Sequence, residues 1–157
     1  MARPAWGAPG AGLRRWTFGA TRDAGRGRLG GAAFARLREG IGVRKIVEDL
    51  IRIEGVIGSL LVDKDGLVVS STLLEDEDAE MLGAMSAAMF GAIVKAGERI
   101  GVGQLRNTII EASEGSIQLV EAENLILVVI TEKGVNLGMI RMEMRKAATR
   151  IRAEIPL

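Results

Sequence analysis

Residues 74–100 read LEDEDAEMLGAMSAAMFGAIVKAGERI, and the fold turns on how that stretch is covered. Glu75, Asp76, Glu77, Asp78 and Glu80 open it, while Lys95 and Arg99 stand near its end. That charge order suits both ends of a helix dipole, so the acidic run reads as a solvated helix start rather than a site for a cation or a basic partner. Between the charged ends Gly83, Ala87 and Gly91 recur at every fourth position, as do Ala84, Ala88, Ala92 and Ala96, with Met81, Met85 and Met89 alongside. The helix is therefore apolar on more than one side and must be covered on more than one. Small residues four apart let another backbone approach closely. The uncharged run Met81–Val94 is 14 residues, against about 20 needed to cross a bilayer, so no membrane span is expected. A domain this small has few elements to wrap such a helix, which favours burial against a second copy of the chain over burial within one subunit.

Upstream, VIGSLLVDKDGLVVSST holds two β-rich runs, 56–63 and 67–72, around Asp65-Gly66, a hairpin signal because both turn residues tolerate positive φ. Asp63, Lys64 and Asp65 do not continue into a calcium loop, which would need further acidic or Asn ligands and a closing Glu. Before them, IGVRKIVEDLIRIEG places Val43, Ile46, Val47, Leu50 and Ile51 on one helix face, with Gly55 as its stop. AAFARLRE is an earlier, weaker helical pattern interrupted by Gly40 and Gly42. Downstream of Gly101 and Gly103 come strand-like runs at 106–112, 116–121 and 124–131. NLILVVIT, the last, is almost continuously apolar, as a strand covered on both faces must be. Residues 135–155 return to helical spacing through Leu137, Ile140, Met144, Ala147, Ala148 and Ile151.

The order α-β-β-α-β-β-β-α, with hairpin-length links inside each strand group, predicts an α+β domain: a five-stranded antiparallel sheet with helices on both faces. With 157 residues and no Cys, no His and no Tyr, this is one domain plus a tail. It has no thiolate, no imidazole base and no triad built on one. Residues 1–40 carry eight Arg against two acids, whereas 41–157 carry 13 Lys+Arg against 18 Asp+Glu. The first stretch holds neither Ile nor Val, too little apolar surface to offset chain ordering. Residues 1–40 are accordingly expected to be a disordered basic tail or a mis-assigned start, and 41–157 the domain. No nucleic-acid partner is expected from the tail's charge alone.

GVIGSLLVDKDGLVVSST (55–72), then AEMLGAMSAAMFGAI (79–93), a strand closing on Glu114-Gly115, and ENLILVVITEKGVNLGMIRMEMRKAA (123–148) together resemble the roadblock family of dynein-light-chain-type domains in its prokaryotic form. The likeness spans residues 43–155 and lies in the order of these pieces, with LVVIT followed by NLG. It implies a three-layer, profilin-like roadblock fold with the central helix on one face of the sheet and the terminal helices on the other. It also implies homodimers in which central helices pack side by side and edge strands near 106–112 join two sheets. The interface residues so indicated are Met81, Gly83, Ala84, Ala87, Ala88, Gly91 and Ile109.

Members of the family mostly act without catalysis, as scaffolds or regulators of Ras-like small GTPases, including partners of gliding-motility GTPases in bacteria. The resemblance thus implies a cytoplasmic homodimeric regulator, with a Ras-like GTPase as partner, no cofactor and no metal. The alternative is an assembly subunit or signalling adaptor of the same fold with no GTPase partner; a small-GTPase gene alongside would separate the two. No G-x-x-x-x-G-K-[ST] occurs, and Gly101-Val102-Gly103 precedes a strand, so the chain is not expected to cradle a nucleotide itself. Asp63, Asp65, Glu111 and Glu121 are the candidate acids and bases of an enzymatic reading, and all fall at turns or strand ends where solvated carboxylates are ordinary.

Overall fold

The computed structural model describes residues 30–155, and its centre is the continuous apolar run. Leu125–Glu132 (β5) lies third in a sheet whose other strands are Val56–Asp63 (β1), Val68–Ser71 (β2), Asn107–Ala112 (β3) and Gly115–Ala122 (β4). The spatial order is β2-β1-β5-β4-β3 and every neighbouring pair is antiparallel. Residues alternate between the faces of a strand, so Leu125, Leu127 and Val129 join one core cluster and Ile126 and Val128 the other.

Among the described residues four helices cover the sheet: Gly31–Glu39 (α1), Ile41–Leu50 (α2), Asp76–Ile100 (α3) and Leu137–Glu154 (α4). Val43, Ile46, Val47 and Leu50 of α2 and Ile140, Met144, Ala148 and Ile151 of α4 form the larger cluster with one sheet face. Phe90 and Ala87 of α3 pack against Leu60, Val62, Leu119, Ile126 and Val128 on the other. This is the three-layer arrangement that the element order predicts.

Three local features depart from the sequence reading. Residues 1–29 of the proposed tail lie outside the described residues, but 31–39 within it are helical and Leu37 is buried in the larger cluster. The helix expected up to Gly55 ends at Leu50, where successive N–H groups of Ile51, Arg52 and Ile53 bond three residues back, a tightened last turn. Ile51, counted on the buried face, is consequently exposed.

Gln118 is a polar residue at the centre of this packing. It is 1% exposed, opposite Ile109 and Val129, and neither its amide N nor its amide O has a partner among the described residues. A buried amide without partners costs about 1–3 kcal/mol. Gln118→Leu, similar in volume, is expected to raise stability by about 1–2 kcal/mol, read as a higher thermal midpoint.

Candidate functional site

Successive helix residues are about 100° apart, so a step of four overshoots a full turn by about 40°. The row Gly83–Ala87–Gly91 therefore winds round α3 instead of keeping to one face. Gly83 and Ala87 are buried against the chain's own sheet; a Cβ on Gly83 would lie 2.9 Å from the Gly66 carbonyl oxygen and 3.0 Å from Val62 Cγ1. By Gly91 the row has reached open surface, with nothing within 4 Å of where a Cβ would stand. The second row starts further round, and its Ala84, Ala88, Ala92 and Ala96 are all exposed.

The six α3 residues among those singled out from the sequence thus divide. Met81, Ala84 and Ala88 are exposed on the outer face, Gly91 sits on its flank, and Gly83 and Ala87 serve the internal packing. Met85 and Ala92 belong with the exposed set, and Met81 and Met85 are 45% and 53% exposed. The sequence shows their spacing but not which row faces outward, since both rows recur at intervals of four.

α3 is 25 residues long and, on length and composition alone, apolar enough to cross a bilayer. In the fold it is a layer on the sheet: Ala79, Gly83, Ser86, Ala87 and Phe90 are buried along one side, and its first turn is acidic. Gly101 ends it in the left-handed region (φ 74°), with Val102 N–H donating to the Gly97 carbonyl at 3.1 Å. Gly101 is thus a helix cap.

Helix α3 rests mainly on β1, β2 and β5. The same face continues over Ile117 of β4 and its cross-strand neighbour Ile110 of β3, both half-buried. Ile109 has the opposite parity and faces the α2/α4 side. The two sheet edges also differ. β2 is flanked by α1, α2 and α3. Among the described residues β3 pairs with β4 alone, and its sequence NTIIEA has one charge and no Pro, lacking the usual devices that blunt a free edge.

Of the carboxylates of the enzymatic reading, Asp63 and Asp65 share the β1–β2 turn, Glu121 is tied to that turn through Lys64, and Glu111 lies apart. Asp63 Oδ1 accepts from the N–H groups of Asp65 and Leu67, each at 2.9 Å, and closes the β1–β2 turn. Glu121 Oε1 pairs with Lys64 Nζ at 2.9 Å. Glu111 stands opposite Ser116, at the other end of β4 from Glu121.

Among the described residues the edge strand β3 is open and the outer apolar face of α3 is uncovered. Residues 43–131 match the Roadblock/LC7 domain model. The chain belongs to the Roadblock/LC7 family. Among its relatives is the uncharacterized protein MJ0310 of Methanocaldococcus jannaschii, 44% identical over 71% of this chain and 97% of that protein. Among solved structures, this roadblock chain resembles Myxococcus xanthus MglB, with a TM-score of 0.68 and 23% identity over 73% of this chain and 95% of that one. It also resembles the gliding protein MglB of Thermus thermophilus, with a TM-score of 0.63 and 19% identity over 81% and 93%. At these identities the structures show the roadblock fold.

Proposed function

We propose that this roadblock protein is a homodimeric, non-catalytic regulator or scaffold that binds a Ras-like small GTPase in the cytoplasm. The observation that carries the reading is the outer face of α3, with Met81, Ala84, Met85, Ala88 and Ala92 exposed, on the same side of the sheet as Ile110 and Ile117 and beside the open edge of β3. A second copy related by a two-fold axis covers all three at once: the β3 strands pair edge to edge, and the two α3 helices lie side by side across the join. Small side chains allow the close approach and the methionines fill what remains.

Family membership supports the GTPase partner, since the roadblock resemblance implies regulation of Ras-like GTPases, and the likeness to gliding MglB proteins fits it. Regulation of that kind needs only a shaped surface.

The test is a pulldown with the purified chain as bait and the host's own Ras-like GTPases, each loaded with GDP or a non-hydrolysable GTP analogue. Retention of one GTPase, stronger in one nucleotide state, is the expected result. Failure of every GTPase in both states would leave the dimer as an assembly subunit and discard the partner.

A further inference from the structure

On the face of the sheet opposite α3, a cleft of about 480 Å³ runs between one flank of α4 and the start of β3. Its walls include Arg106 from the strand side and Arg145, Thr149 and Arg152 from the helix. The three helix residues share a flank because they are spaced by four and seven. Thr149 Oγ1 donates to the Arg145 carbonyl at 3.1 Å, and the Arg106 carbonyl accepts from Glu121 N–H at 3.3 Å, so both backbones are anchored. Arg152 Nη2 donates to the Glu121 carbonyl at 2.8 Å, which holds one guanidinium at the wall with donors to spare.

The charges in this cleft are unbalanced. Among the described residues Glu121 is its one acid, and that carboxylate is engaged by Lys64. Among the described residues the guanidinium groups of Arg106 and Arg145 have neither an ion-pair nor a hydrogen-bond partner. Such a concentration stands out on a domain that carries 13 bases against 18 acids over residues 41–157. The basic groups on the other flank of α4 behave differently: Arg150 pairs with Asp49 and Lys146 with Glu143.

We infer that this cleft binds a phosphate-bearing ligand, with Arg106, Arg145 and Arg152 as its guanidinium contacts. Each guanidinium presents a planar fork of donors. A carboxylate has two oxygens and satisfies about one such fork, whereas a phosphate monoester or diphosphate offers three or more acceptor oxygens and up to two charges to several at once. The volume exceeds a lone phosphate and falls in the range of small-molecule sites. The site is separate from the α3 surface and does not depend on the GTPase reading.

The full-length chain is titrated calorimetrically with pyrophosphate, and in parallel sedimented with phosphatidylcholine vesicles containing phosphatidic acid. The expected result is saturable binding that the double variant Arg106→Gln/Arg145→Gln weakens roughly a hundredfold, about tenfold for each guanidinium removed from the phosphate. Lys146→Gln/Arg150→Gln removes the same charge from the other flank and is expected to leave binding within about threefold. Loss confined to the first double variant with vesicles alone identifies a lipid headgroup as the source; with pyrophosphate as well, a soluble phosphate ligand. Absence of saturable binding to either probe, or equal weakening by the two double variants, overturns the assignment.

Discussion

Gly66→Ala is expected to lower the stability of the domain by about 2–5 kcal/mol, combining a left-handed backbone cost of about 1–2 kcal/mol with overpacking of about 1–3 kcal/mol. Gly66 has φ 89°, and its N–H donates to the Asp63 carbonyl at 3.0 Å to close the β1–β2 turn. The turn also presses on α3: a Cβ at Gly66 would stand 2.7 Å from Ala84 Cα and 3.2 Å from Ala84 N. These are main-chain atoms, so no rotamer change relieves the contact. Either the hairpin or the helix must shift, and α3 carries the proposed interface. Gly103→Ala separates the two contributions. Gly103 has φ 88° but open space around it, so only the conformational part, about 1–2 kcal/mol, is expected there. Urea midpoints at one fixed protomer concentration check both, since self-association would otherwise alter apparent stability. Equal losses at Gly66 and Gly103 would show that the hairpin does not bear on the helix.

The double duty of Gly66 shows where sequence reading reaches its limit. Asp65-Gly66 announces the turn because positive φ is a local property, and Asp63 adds a carboxylate that accepts two of the turn's N–H groups. Nothing local announces that Gly83 lies against the same turn. The layers were legible for a similar reason: α2 and α4 have buried positions at helical spacing, and the unbroken apolar run of β5 has to be covered on both faces. Strand order was less so. That β3 ends at the free edge while β2 is enclosed by helices depends on the path of the long α3 connection, which hydrophobic alternation does not encode. The α1 helix announced itself only weakly, through the AAFARLRE pattern, because Leu37 is its one fully buried residue and Phe34 packs half-buried beside it, too few positions to set it apart from the Gly- and Arg-rich stretch before it. For the candidate interface, apolar character was visible but phase was not. Both rows of small residues on α3 recur at intervals of four, and only the sheet distinguishes the row that winds away from it from the row already facing outward.

That phase makes the proposed dimer separable from the fold. Ala88→Arg is expected to weaken self-association by roughly a hundredfold or more, since an unpartnered charge carried into an interface costs about 3–5 kcal/mol. The subunit should remain folded, because Ala88 is exposed and arginine is a good helix former. Gly91→Leu should move the two properties in opposite directions. Among the described residues nothing lies within 4 Å of where a Cβ would stand there, and removing a glycine from a helix interior gains up to about 1 kcal/mol. The same bulk between two closely packed helices would cost about 1–3 kcal/mol. Gly83→Leu, whose Cβ would crowd Gly66 and Val62, should lose fold and dimer together. Sedimentation velocity over a dilution series, with far-ultraviolet circular dichroism on the same samples, reads both properties. If Ala88→Arg sediments as a dimer like the parent chain, the outer face of α3 is not where the subunits meet. If the parent chain is itself monomeric at tens of micromolar, the exposed methionines and the free β3 edge await a different partner.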